Sequence, residues 1–158
     1  MSQASSLAIL APVAGRVVAL DQVPDPTFAQ AILGPGAAID PPRTVVDAIA
    51  PISGKLLKVF PHAYVILAAD GLGVLVHLGI DTVQLKGAGF TLRAAQGDDV
   101  TAGDVIVTYD VASVVAAGRN PIVPVIVMEQ TADTVALAES ATGGADLSAG
   151  DPFLAVTR

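Results

Sequence analysis

Short β-branched runs alternate with turn residues along the chain. They are Arg16-Val17-Val18, Val45-Val46, Val65-Ile66-Leu67, Val74-Leu75-Val76, Val105-Ile106-Val107 and Val125-Ile126-Val127. Fifteen Gly and eleven Pro are distributed between these runs, a pattern that suits many short strands rather than long helices. Helical patterning is confined to two brief stretches, near Phe28–Leu33 and Val111–Ala117. The predicted class is all-β, an antiparallel β sandwich or flattened barrel with only short helices.

Two internal echoes add to this picture. Ala11-Pro12-Val13-Ala14-Gly15-Arg16-Val17-Val18 recurs as Ala50-Pro51-Ile52-Ser53-Gly54-Lys55-Leu56-Leu57. Ala102-Gly103-Asp104-Val105-Ile106-Val107 recurs as Ala149-Gly150-Asp151-Pro152-Phe153-Leu154. Each unit sets a Gly where a strand bends or passes close to another, then a charged residue and a buried strand. The units are too few and too unevenly spaced for a solenoid, and predict a duplicated β motif within one domain. No internal linker is visible. The expected organisation is a frayed tail at residues 1–6 followed by a single domain over 7–158, with a loop at Thr142–Gly144 before the last strand.

Composition narrows the function. Hydrophobic residues make up 53% of the 158 and charged ones 15%, which excludes a disordered chain. Aromatics are only 4%, so the core must be aliphatic. A net charge of −7 argues against nucleic-acid binding, which needs clustered Lys and Arg, and suits basic partners. With no cysteine there is no disulfide, thiolate metal site or Cys nucleophile. The longest uncharged run, Met1 to Gly15, is shorter than the ~20 residues of a membrane-spanning helix. No Lys or Arg precedes its apolar part, so it makes a poor signal peptide. A soluble cytoplasmic protein without membrane insertion is expected.

Phosphate loops, dinucleotide fingerprints, His-Glu-x-x-His and Gly-x-Ser-x-Gly are all missing from the sequence. What remains is two histidines, His62 and His77, in neighbouring candidate strands. Between them Ala68-Ala69-Asp70-Gly71 signals a hairpin. A four-residue loop there pairs Leu67 with Leu72 and sets His62 directly across from His77, with side-chain bases about 4.5–5.5 Å apart. Asp81, four residues beyond His77, adds a carboxylate near the same rim.

These residues lie in segments that resemble a known family. Val76-His77-Leu78-Gly79-Ile80-Asp81-Thr82-Val83-Gln84-Leu85-Lys86-Gly87-Ala88-Gly89-Phe90 is similar to the active-site signature of the glucose-type enzyme IIA domains of the bacterial sugar phosphotransferase system. So are Ala11-Pro12-Val13-Ala14-Gly15, Val23-Pro24-Asp25-Pro26-Thr27-Phe28-Ala29, Gly34-Pro35-Gly36-Ala37-Ala38-Ile39 and His62-Ala63-Tyr64. The matches fall in the family's order and span nearly the whole chain. The resemblance implies a sandwich of the duplicated-motif type, in which His77 accepts a phosphoryl group and His62 stabilises it. It implies the histidine-containing phosphocarrier protein as donor and the IIB domain of a sugar permease as acceptor. It implies no cofactor and no metal, a monomer, and regulatory targets bound in the unphosphorylated state. Phe28, Ile32, Phe60 and Leu75 match the family's apolar docking patch, and Asp25 and Asp81 match its acidic rim. One departure is that Phe60-Pro61-His62 lacks the hydroxyl residue that relatives often carry before the first histidine.

The residue types suit such a relay. Imidazole, with an ordinary pKa near 6.5, is largely neutral at pH 7 and nucleophilic, and the N–P bond it forms stays labile. A charge-assisted hydrogen bond from His62 to the phosphoryl oxygens would contribute ~1.5–3 kcal/mol. Two other readings compete. A zinc hydrolase would use His62, His77 and Asp81 as ligands. A swinging-arm carrier would use Lys86, since Gly97-Asp98-Asp99-Val100-Thr101-Ala102-Gly103-Asp104 resembles biotinyl and lipoyl domains, although Leu85-Lys86-Gly87 lacks their usual lysine setting.

Overall fold

The computed structural model describes residues 6–158. Fourteen strands run in chain order as β1 (Ser6–Leu10), β2 (Gly15–Ala19), β3 (Gly36–Asp40), β4 (Val45–Ile49), β5 (Gly54–Phe60), β6 (Ala63–Leu67) and β7 (Gly73–His77), then β8 (Phe90–Leu92), β9 (Asp99–Val100), β10 (Val105–Asp110), β11 (Val123–Met128), β12 (Val135–Leu137), β13 (Asp146–Leu147) and β14 (Pro152–Thr157). Among the described residues α-helix is confined to α1 (Pro26–Ala29) and α2 (Val111–Ala116). The strands form one eight-stranded sheet in the order β13-β2-β3-β11-β7-β6-β5-β9 and two three-stranded ones, β1-β14-β12 and β4-β10-β8. Every pairing among them is antiparallel. The all-β expectation holds, and all six β-branched runs lie in strands.

The duplicated motif is real, and its hydrogen bonds repeat. Leu10 N donates to Pro51 O and Ile49 N to Pro12 O, each at 2.9 Å, so the two echoed segments bond to each other reciprocally. Ala11 N donates to Asp151 O as Ala50 N donates to Asp104 O, both at 2.8 Å. The two glycines explain the echo's spelling. A Cβ at Gly15 would sit 2.3 Å from Asp40 O, and one at Gly54 would sit 2.3 Å from Leu67 O. Only a bare backbone lets the strands cross that closely.

Alternation sorts the large sheet into two faces. Its inward face contributes Val17, Ile39, Leu56, Tyr64, Ile66, Val74, Val76 and Val125 to the main core. Its outward face would be bare, but α1 and the turn before it fold over part of it. Leu20, Val23 and Phe28 pack there on Ala38 and Ile126, with Val18, Leu75 and Met128 alongside. This second, smaller core fixes α1 beside the end of β7.

Helix α1 begins earlier and ends sooner than the apolar pattern over Phe28–Leu33 predicts. Asp25 caps it by accepting from Thr27 N at 2.9 Å, Pro26 occupies the first turn, and Ala31 at φ 54° leaves the helical region. Helix α2 stops one residue short of the expected Ala117. Ser6 already pairs with Thr157, so the first strand begins inside the expected tail; residues 1–5 lie outside the described residues.

Candidate functional site

His77 is the last residue of β7 and alternates with Leu75 onto the outward face of the sheet. Beyond it the chain leaves the strand through Gly79 at φ 85°, a left-handed conformation that glycine adopts without strain. Gly79 N donates to Ile122 O at 3.0 Å and Ile80 N to Asn120 O at 2.9 Å, so this loop stays bonded to the approach to β11. The Gly79 carbonyl lies 2.6 Å from His77 Nδ1. A carbonyl can only accept, so Nδ1 carries the proton and Nε2 keeps a free lone pair.

His62 reaches the same place by a route that differs from the expected one. The register pairs Ala63, not His62, with His77, and Leu67 with Gly73 rather than Leu72. The hairpin loop is one residue shorter than its turn signal suggests. Ala68 N donates to Leu72 O, Gly71 N donates to Ala68 O, and Gly71 takes φ 94°. This is a type I turn closed by a left-handed glycine, the usual three-residue hairpin loop. His62 itself lies in the two-residue turn Pro61–His62 between β5 and β6, with its carbonyl accepting from Leu78 N at 2.7 Å. Freed from strand alternation, its ring still meets that of His77, edge to face, with centroids 5.2 Å apart.

Aromatic neighbours frame the pair. The Phe28 ring lies 5.1 Å from His77, and the Phe60 ring 5.9 Å from His62. Phe28 is buried in the small core, so it is a wall for His77 rather than open docking surface. Ile32 and Phe60 are 65% and 49% exposed, and Leu75 is half-buried. Neither Phe60 nor Pro61 before His62 carries a hydroxyl, and among the described residues no side-chain hydrogen bond holds its ring.

Burial lowers the pKa of both histidines. For His77 it outweighs the opposing pull of the Gly79 carbonyl and of the Asp25 and Asp81 carboxylates. For His62 burial acts first and the neighbouring His77 second. Both rings are therefore mainly neutral at pH 7, while the two carboxylates favour any positive charge that later develops on His77. Asp25 does this while capping α1, and Asp81 from an exposed left-handed position at φ 58°.

Two residues that no sequence pattern marks as functional complete the site. Gly79 supplies the carbonyl that sets the tautomer, and Thr82 is fully buried behind it. A glycine that must turn the chain directly after a strand was the available signal for the first. For the second it was a hydroxyl inside an apolar turn.

The competing readings fail on geometry. Among the described residues no three His, Cys, Asp or Glu side chains converge as a metal site, so Asp81 does not join the histidines as the zinc reading requires. Lys86 closes a 3₁₀ turn in a left-handed conformation instead of standing at a hairpin tip. No helix among the described residues is long and apolar enough to cross a membrane.

Comparison with known proteins places the chain in a family. A family model described as phosphoenolpyruvate-dependent sugar phosphotransferase system, EIIA 1, matches residues 7–133. The glucose-specific EIIA component of Halalkalibacterium halodurans is 42% identical over 121 residues, covering 75% of this chain and 69% of that protein. The glucose-specific EIICBA component of Streptococcus pneumoniae is 47% identical over 108 residues, 67% of this chain, and the match spans only 15% of that longer protein. The solved glucose permease IIA from Mycoplasma capricolum superposes with a TM-score of 0.84 at 35% identity, covering 96% of each chain. The chain belongs to the EIIA family of the sugar phosphotransferase system, whose members are phosphoryl carriers between the histidine-containing phosphocarrier protein and a IIB domain.

Proposed function

We propose that His77 is the phosphoryl acceptor, through Nε2, and that His62 stabilises the transferred group. The observation that carries this is the His77 Nδ1 contact with Gly79 O at 2.6 Å, which leaves Nε2 unprotonated beside a second imidazole. The Nε2 lone pair forms a bond to phosphorus as the donor's N–P bond breaks and its electron pair returns to the donor imidazole. The product ring keeps its Nδ1–H and carries the positive charge, which Gly79 O, Asp25 and Asp81 favour. The phosphoryl oxygens beside His62 raise its affinity for a proton, so it donates a charge-assisted hydrogen bond to them. Phosphoryl transfer needs chiefly positioning and charge stabilisation, which His62, Gly79 O and the two carboxylates supply here.

The exposed faces of Ile32 and Phe60, with Leu75 and the rim acids Asp25 and Asp81, form the docking surface for both partners. A small apolar patch ringed by acidic charge suits brief encounters with basic partners. Residues 7–158 act as one EIIA domain in the cytoplasm, serving a permease of the glucose class, as the names of the relatives suggest. The test is incubation with the phosphorylated phosphocarrier followed by addition of a glucose-type IIB domain. Acid-labile phosphate should accumulate on His77 and then pass to IIB. An unlabelled wild-type chain would overturn the proposal.

A further inference from the structure

Thr82 is fully buried, at 0% exposure, and apart from the tyrosines Tyr64 and Tyr109 no other polar side chain among the described residues is so enclosed. An unpaired hydroxyl there would cost ~1–3 kcal/mol, so its partner matters. Oγ1 donates to the Leu78 carbonyl at 2.7 Å. Leu78 stands between His77 and Gly79, and its own side chain is sealed in the main core. The methyl end of Thr82 lies over the next residue: a Cβ built on Gly79 would come within 2.5 Å of Thr82 Cγ2. The hydroxyl thus holds the Leu78–Gly79 peptide at its carbonyl, while the methyl fills the space beside the glycine.

This grip bears on the chemistry because of what glycine lacks. Without a Cβ, the Gly79 backbone has unusually wide φ and ψ freedom, and its carbonyl could swing away from His77. The bond from Gly79 N to Ile122 O anchors one side of the residue, and Thr82 anchors the peptide that enters it. We propose that Thr82 is a positioning residue for phosphoryl transfer, holding Gly79 O on His77 Nδ1 so that Nε2 remains the bare nitrogen. It touches neither imidazole through any hydrogen bond among the described residues, and acts entirely through backbone. The inference rests on His77 being the acceptor, but its first consequence, the His77 tautomer, exists in the unphosphorylated protein.

The test uses Thr82→Val, which keeps the shape and deletes the donor, and Thr82→Ser, which keeps the donor. Long-range ¹⁵N–¹H NMR reads the His77 tautomer directly, and labelling by the phosphorylated phosphocarrier reads the rate. The wild type should show one tautomer, Nδ1–H. Thr82→Val should show a mixture of tautomers and a rate roughly two- to tenfold lower, the size of one neutral hydrogen bond. Thr82→Ser should match the wild type in both. A merely structural threonine would change stability and leave the tautomer pure, so a Val variant with only Nδ1–H overturns the proposal. Should the Val variant not fold, Thr82→Ala, which also deletes the donor, decides in its place: a mixed tautomer there supports the proposal, and a pure one overturns it. If the tautomer shifts as expected but phosphate appears elsewhere than on His77, the Thr82 clamp stands and the acceptor assignment falls.

Discussion

His77 and His62 are the same side chain 5.2 Å apart, yet the chain holds them in opposite ways. His77 ends a central strand, with Nδ1 fixed on Gly79 O, the ring walled by Phe28, and the loop beyond it bonded to Asn120 and Ile122. His62 occupies a two-residue turn, with its backbone tied to Leu78 and its ring set against those of Phe60 and His77. The difference matches the two tasks. A nucleophile must be offered in one protonation state and one direction, which calls for a fixed partner. A group that steadies an arriving phosphoryl must adjust as the charge appears, which calls for latitude.

Substitutions should separate the two roles in order of size. His77→Ala should abolish labelling altogether, whereas His62→Ala should keep it on His77 at a rate roughly ten- to a hundredfold lower, the loss of one charge-assisted hydrogen bond. Equal losses in both variants would dissolve the distinction. Gly79→Ala tests the fixed side without touching either ring. Its φ of 85° and the 2.5 Å approach to Thr82 Cγ2 should cost about 1–3 kcal/mol of stability by thermal unfolding, with slower transfer even in the folded fraction.

Acid titration is gentler. Burial holds both imidazoles below the ordinary value of 6.5, so the acceptor is mostly neutral at that pH, and the midpoint of the fall in labelling rate should lie below it. The sign for stability follows: below pH 6.5 the unfolded chain takes up protons that the folded rings refuse, so stability should decline as pH drops through that range. A labelling profile with its midpoint at or above 6.5 would contradict the burial that places His77. The smallest structural effect belongs to the outer surface. Ile32→Ser and Phe60→Ser remove exposed side chains, so stability should change by less than about 0.5 kcal/mol while KM for the phosphorylated donor rises.

Much of this arrangement was legible in the sequence because it rests on local rules. The β-branched runs name the strands, and the echoed Ala-Pro segments foretell the reciprocal bonds between Leu10 and Pro51 and between Ile49 and Pro12. The sequence pairs the two histidines, but through a strand register that the structure shifts by one residue. Register depends on loop length, and Ala68-Ala69-Asp70-Gly71 reads equally as a four-residue loop or as a three-residue loop closed by Gly71. The second won because Gly71 supplies the positive φ and the Asp70 carboxylate accepts from Leu72 N at 3.1 Å. His62 met His77 regardless, since a turn residue is not bound by strand alternation. Phe28 was legible as a neighbour of the site but not as a buried one, because the small core beneath α1 joins elements distant in sequence. The carbonyl of Gly79 and the hydroxyl of Thr82 act through hydrogen bonds that residue type alone does not announce.

The most direct measurement is ³¹P and ¹⁵N NMR of the chain after reaction with the phosphorylated phosphocarrier. A single phosphohistidine at residue 77, bonded through Nε2 with its Nδ1 still protonated, is the expected spectrum. Phosphate on His62, or on His77 through Nδ1, would mean that the Gly79 contact does not set the reactive nitrogen.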